Sequence, residues 1–219
     1  MKKSLIVLAL PVMLLVACNK TPVDTNYIKF KEFRQMARNT ITNGIMEHGT
    51  FNVLVHAYHY NPETEEHGER DDDKWESYSF IKDGHLIYYR EGESSAEYIL
   101  DFDNNRTLRK AGNTWSDIGE NPSTQFSYAC YVAQINVSGN QLTGSKNGKY
   151  DSNENFINYK YKLSNGFGVV KYRCTFDKEA MLLTTINRVY HDLSTYYDVD
   201  ITNISLEGDI PDHTNVVDA

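Results

Sequence analysis

Between Phe51 and Ile201 the chain repeatedly sets a large apolar or aromatic residue at every second position, and this restricts it to a β-rich fold. Tyr98, Leu100 and Phe102 alternate with Glu97, Ile99 and Asp101, and Ile157, Tyr159, Tyr161 and Leu163 alternate with Asn158, Lys160 and Lys162. Val170, Tyr172, Cys174 and Phe176 stand against Lys171 and Arg173, and Tyr197, Val199 and Ile201 against Asp198 and Asp200. Successive side chains of a strand point to opposite faces, so this alternation describes strands with one buried face. The 16 Tyr and 9 Phe lie mostly in such segments and favour sheet structure.

Short turn signals separate the strands and make them an antiparallel meander. Asp83-Gly84 divides Trp75–Ile81 from His85–Arg90, a strong hairpin pattern. Asp103-Asn104-Asn105, Gly112-Asn113, Asn165-Gly166 and Asp177-Lys178-Glu179 turn the chain again. Phe51 to Tyr60 is an earlier strand with Val53, Val55 and Ala57 on one side. His56 and His59 fall on its opposite faces and cannot share a metal. Asn61 to Lys74 is acidic and reads as a solvated hairpin loop.

Two helices interrupt the meander. Residues 26–48 carry Phe30, Phe33, Ala37, Ile41 and Ile45 at intervals of three and four, one face of an amphipathic helix. Thr25 or Asn26 can cap its start, and Gly44 or Gly49 its end. Lys29, Lys31, Arg34 and Arg38 form its other side, read as a solvated face rather than one meeting lipid headgroups. Asn121-Pro122-Ser123 starts a second helix, which places Phe126, Cys130, Ala133 and Val137 together through about Ile135. A strand reading of 126–137 stays open. Gly139 to Asn155 reads as a loop or weakly paired edge, and the tail 211–219 as loose.

Ahead of this domain, Lys2 and Lys3 lead into an apolar run, Leu5 to Val16, interrupted by Pro11. The charge, length and small closing residues mark residues 1–17 as a signal peptide, too short to span a bilayer. Leu15-Val16-Ala17-Cys18 resembles the lipobox of bacterial lipoproteins. That resemblance implies diacylation of Cys18, export and attachment to a cell membrane or surface, with residues 18–25 as a tether. The other reading is ordinary cleavage nearby, with Cys18 incidental. Removing Lys2 and Lys3 moves the formal charge from −8 to −10, which argues against nucleic acid and against electrostatic adhesion to anionic lipid. No later segment is apolar enough to cross a membrane, and the domain is expected to be a monomer.

Chemistry-bearing motifs are missing. There is no Gly-x-Ser-x-Gly, His-Glu-x-x-His or Gly-x-x-x-x-Gly-Lys, so no catalytic residue and no cofactor is expected. Asp101, Asp103 and Asn105 imitate a calcium loop, but Arg106 and Gly112 occupy positions that need glycine and glutamate. No metal site is expected. Cys130 and Cys174, an even pair in an exported protein, are expected to form a disulfide, the alternative being two buried thiols.

The order of elements resembles the LolA-like carriers and the LppX/LprG lipid-binding lipoproteins. The residues that carry the likeness are the lipobox, helix 26–48, Asn113-Thr114-Trp115 before Asn121-Pro122, and the ending from Asp198 through Ile210-Pro211. The resemblance implies an α+β domain over 26–210. It would hold a strongly curved antiparallel half-barrel with the N-terminal helix and a second short helix on its concave side. It also implies a non-enzymatic protein holding a lipid or other apolar ligand in the concavity. Tyr98, Leu100, Phe102, Tyr159, Tyr161, Val170, Tyr172, Phe176, Val199 and Ile201 share the inward parity and are the candidate lining. Two further readings stay open: the same residues fill a core in a surface lipoprotein with protein partners, or the chain is an exported hydrolase.

Overall fold

The longest strand, β1 (His48–Asn61), is the spine from which two meanders spread in opposite directions. The structure, a computed structural model, describes residues 27–71, 76–164 and 168–217. The signal segment, Cys18, the tether, Trp75 and the Asn165-Gly166 turn lie outside the described residues. Among those described, thirteen strands form one sheet, mostly antiparallel and not closed, with two helical segments, an α+β architecture.

On one side of β1 run β3 (Glu76–Asp83), β4 (Leu86–Glu91), β5 (Glu97–Asp101), β6 (Arg106–Ala111) and β7 (Thr114–Asp117). On the other run β12 (Thr195–Ser205), β11 (Leu182–His191), β10 (Val169–Asp177), β9 (Phe156–Lys162) and the edge strand β8 (Gly148–Asn153). The acidic segment forms β2 (Glu66–Arg70), paired to β1 off the main path.

The registers carry one apolar layer across the sheet. Phe80 pairs with Phe51 and Tyr89, and Val53 pairs with both Tyr78 and Ile201. Ile201 faces Ile186, Ile186 faces Cys174, and Cys174 faces Ile157. Directly opposed residues share a face, so the alternation legible in each strand becomes continuous.

Both helical segments cover this face. The first begins as α1 (Phe30–Ala37) and continues as a π-helix, Arg38–Ile45. It starts later than the expected Asn26: Lys29 takes the N-terminal position, where its backbone N–H donates to Glu32 Oε2 at 2.7 Å. Phe33, Met36, Ala37, Thr40, Ile41 and Ile45 are buried beneath it. Arg34 leaves the solvated side expected for it and donates to the Thr143 carbonyl at 2.6 Å, joining the two helices.

The second segment is helical, as α2 (Phe126–Tyr131), a π-helical stretch Val132–Asn136, and α3 (Val137–Thr143). Asn121 Oδ1 accepts from the Ser123 N–H at 2.8 Å and caps a short 3-10 turn, Pro122–Thr124, that leads into α2, whose own N-cap is Gln125. The helix runs to Thr143, into the stretch expected to be a loop or weakly paired edge from Gly139, and the rest of that stretch forms the edge strand β8. Its buried side is rotated from the expected one: Tyr131, Ile135, Ser138 and Leu142 face inward, whereas Phe126 is 58 % exposed.

The C-terminal segment is not loose. Residues up to Val217 cross the opposite face of the first meander, where Ile210 and Val216 cover Ile99, Leu108 and Trp115. Trp115 Nε1 donates to the Asp212 carbonyl at 2.9 Å, and β13 (Val216–Val217) adds a parallel pairing to β7. β5 is therefore buried on both faces over Ile99–Asp101, and β6 at Thr107 and Leu108. This explains why Ile99, of outward parity, is as buried as Leu100.

Candidate functional site

All ten inward-parity residues belong to the helix-covered apolar cluster or pack against it. They differ in what surrounds them. Leu100, Tyr159, Val170, Tyr172, Val199 and Ile201 are 2 % exposed or less. Tyr159 is locked by its hydroxyl donating to the Gly144 carbonyl at 2.7 Å, and Tyr172 donates to Gln141 Oε1. Phe176 reaches the layer through a register shift after Thr175 and pairs with Leu183. Of the ten, only Tyr98 and Phe102 reach the walls of the three main grooves.

Phe102 leads to the groove with the strongest apolar character on the helix-covered face. It holds about 500 Å³ between the end of the first helix, the second helix and the β3–β5 meander. Met46, Ile87, Phe102, Tyr128, Tyr131 and Val132 supply its apolar walls. Phe102 and Tyr128 meet at 5.0 Å between ring centres, and Tyr131 rests against Phe51 at 5.9 Å and Phe80 at 6.1 Å. Large rings standing between helix and strands hold the two apart, and the groove opens where that ring layer is incomplete. The Tyr131 hydroxyl donates to the Ile45 carbonyl at 3.5 Å, fixing the second helix to the end of the first. Burial raises the Tyr131 pKa, so the phenol stays neutral.

Polar groups gather at one mouth. Lys82 Nζ donates to the Gly84 carbonyl, and burial lowers the lysine pKa against the opposing pull of Glu47 and Asp83. His85 Nδ1 lies 2.6 Å from Asp103 Oδ1. Behind them Asp101, 2 % exposed, accepts from Asn104 N at 3.1 Å, Asn104 Nδ2 at 2.8 Å and Arg106 Nε at 3.0 Å. Burial pushes this carboxyl up, but the Asn104 and Arg106 bonds outweigh it and hold the pKa below the usual range. The triplet that imitates a calcium loop thus ties a turn. Among the described residues no group of three His, Cys, Asp or Glu is placed to hold a metal.

The expected disulfide is absent: Cys130 and Cys174 are free and buried. Cys130 lies on α2 in the field of Glu76 on β3, whereas Cys174 sits on β10 between Ile157 and Ile186, three strands beyond β1. Both face the same apolar layer, Cys130 from the helix, where its field also reaches Tyr190 on β11, and Cys174 from the sheet. Burial pushes each thiol up to about 12, so neither is a thiolate nucleophile at neutral pH.

Tyr128, Tyr131, Val132 and Met46 escape a sequence reading based on the Phe126-Cys130-Ala133 face. The spacing Tyr131-Ile135-Leu142 carries the usable signal, since these three are the buried positions. The chain matches no protein-family model, and no curated protein is similar enough to it to stand as a relative. No helix among the described residues is long and apolar enough to cross a membrane.

Proposed function

We propose that this chain is an exported, lipid-anchored, non-enzymatic protein that carries an apolar ligand, with the acyl anchor on Cys18. Its sheet is read as a strongly curved half-barrel of the LolA-like type, with both helices on the concave side. The observation that carries this reading is the 500 Å³ groove walled by Phe102, Tyr128, Tyr131 and Val132. A concave, mostly apolar site with a few polar groups at its mouth suits an acyl chain or a comparable apolar molecule. The anchor is supported by Leu15-Val16-Ala17-Cys18 after a short apolar run, and two acyl chains hold a protein stably where one is marginal.

Native mass spectrometry of the mature chain tests the reading. A co-purifying apolar molecule is expected, and delipidated protein should take up a fluorescent fatty acid. Val132→Trp fills the groove from its open side and should cut that uptake about tenfold, with an unchanged circular dichroism spectrum. Cys18→Ala should shift the protein out of the membrane fraction. Absence of both a bound molecule and probe uptake favours the second reading, an interaction lipoprotein with a filled core. That reading draws on the tight burial of Tyr159, Val170, Tyr172, Val199 and Ile201.

A further inference from the structure

A smaller groove opens beside the first turn of α2, on the helix-covered face but at the opposite strand ends from His85 and Asp103. It holds about 290 Å³ and has a different chemistry. Four aromatic rings frame it. Tyr89 and Tyr98 stack at 4.8 Å with 10° between their planes, Tyr78 meets Tyr89 edge-on at 6.3 Å, and Phe126 stands 6.3 Å from Tyr78. Phe126 contributes little to the core beneath the helix, being more than half exposed, yet it closes one wall of this groove.

The charges around the rings are unbalanced. Glu91 and Glu120 line the groove against a single guanidinium, Arg109, which leaves the lining one charge negative. A third carboxylate, Glu76, lies close enough to Tyr78 to raise the phenol pKa further, after burial, the larger cause. The rings already accept a cation: the Arg109 guanidinium carbon lies 5.9 Å from the centre of the Tyr98 ring. Burial keeps the Tyr78 and Tyr89 phenols protonated, so their faces retain the electron-rich character that attracts cations without a phenolate to trap protons.

Ser127, 3 % exposed, backs the groove, with its hydroxyl turned to that of Tyr89.

We infer that this groove binds an organic monocation, a quaternary or methylated ammonium group. The Tyr78 and Phe126 rings would meet the cationic methyl groups, and Glu91 and Glu120 would supply the opposing charge. A bare metal ion suits the groove poorly, because hard cations require several oxygen ligands at close range and, among the described residues, no group of three His, Cys, Asp or Glu is placed to hold one. The groove is separate from the apolar site, and the inference does not depend on it.

Calorimetric titration of the unacylated mature chain with choline chloride tests the inference, with 3,3-dimethylbutan-1-ol as the neutral isostere. Choline should bind saturably and at least about tenfold more tightly than the alcohol. Phe126→Ala and Glu120→Gln change exposed side chains, so the fold should persist, and each should weaken choline binding about fivefold or more. Equal binding of choline and the alcohol would overturn the inference, as would undiminished choline binding in both variants. Flotation with phosphatidylcholine vesicles but not phosphatidylglycerol vesicles, lost in both variants, would assign the cation to a lipid headgroup. Choline binding without flotation would assign it to a free amine.

Discussion

The two wings of the sheet are built from similar strands, yet beneath the helices one is filled and the other is grooved; the 840 Å³ groove beside Lys171, Val189 and Tyr196 lies outside that layer. Over β9 to β12 the first helix lies directly on the strands through Phe33, Met36, Ala37 and Ile41, and α3 lies beside it. Gly139 allows that approach, since a Cβ there would stand 2.7 Å from the Ile41 side chain. Small residues bring backbones close and leave no gap. Over β3 to β5 the second helix instead rests on rings, with Tyr128 and Tyr131 set against Phe51, Phe80 and Phe102. Here the ring layer is incomplete, and grooves form on both sides of α2. The same wing is braced from behind by the C-terminal segment over Ile99, Leu108 and Trp115. Its strands β5 to β7 are thus supported from the outer face, while the inner face over β3 to β5 stays incompletely covered.

The sharpest way to break this comparison is to remove one ring from each wing. Phe33, fully buried against Tyr150 and Tyr159, should cost about 3–5 kcal/mol on truncation to alanine. Phe102 at the groove wall should cost no more than about 2 kcal/mol, since part of its surface already faces open space. Chemical denaturation of both variants measures the difference. Equal losses would mean that the meander wing is as tightly filled as its neighbour.

Adding bulk comes next. Val170→Trp places a large ring in the filled wing and should destabilise by about 1–3 kcal/mol through overpacking. Uptake of a fluorescent fatty acid should not change, because Val170 lines none of the main grooves. Loss of uptake without loss of stability would move the ligand site under the first helix.

The smallest effect is electrostatic. Glu76 lies on the inward parity of β3, opposite Val55, and desolvation by burial raises its pKa from 4.5 to about 6. A carboxyl whose folded-state pKa is raised binds its proton more tightly in the folded protein. Wild type should therefore lose stability relative to Glu76→Gln as pH rises from about 4.5 through about 6, and the gap should stay constant above that. Partial solvent exposure limits the gap to about 1 kcal/mol. Parallel melts at pH 4 and pH 7.5 measure it, and a gap that widens toward acid would reverse the assignment.

Much of the sheet was legible in the sequence by itself. Side chains alternate across a strand with a period of two, so Tyr159, Tyr172, Val199 and Ile201 declared their common face without any knowledge of neighbouring strands. Local backbone chemistry likewise marked the turns at Asp83-Gly84 and Gly112-Asn113, where both glycines take positive φ. The tertiary structure alone decided which strands the tail covers, that Cys130 and Cys174 stay unbonded, and that Phe102 borders a groove while Leu100 does not. Those outcomes depend on how far each helix stands from the strands it covers. That distance is set by which side chains meet across long separations in the chain, and no local period encodes it.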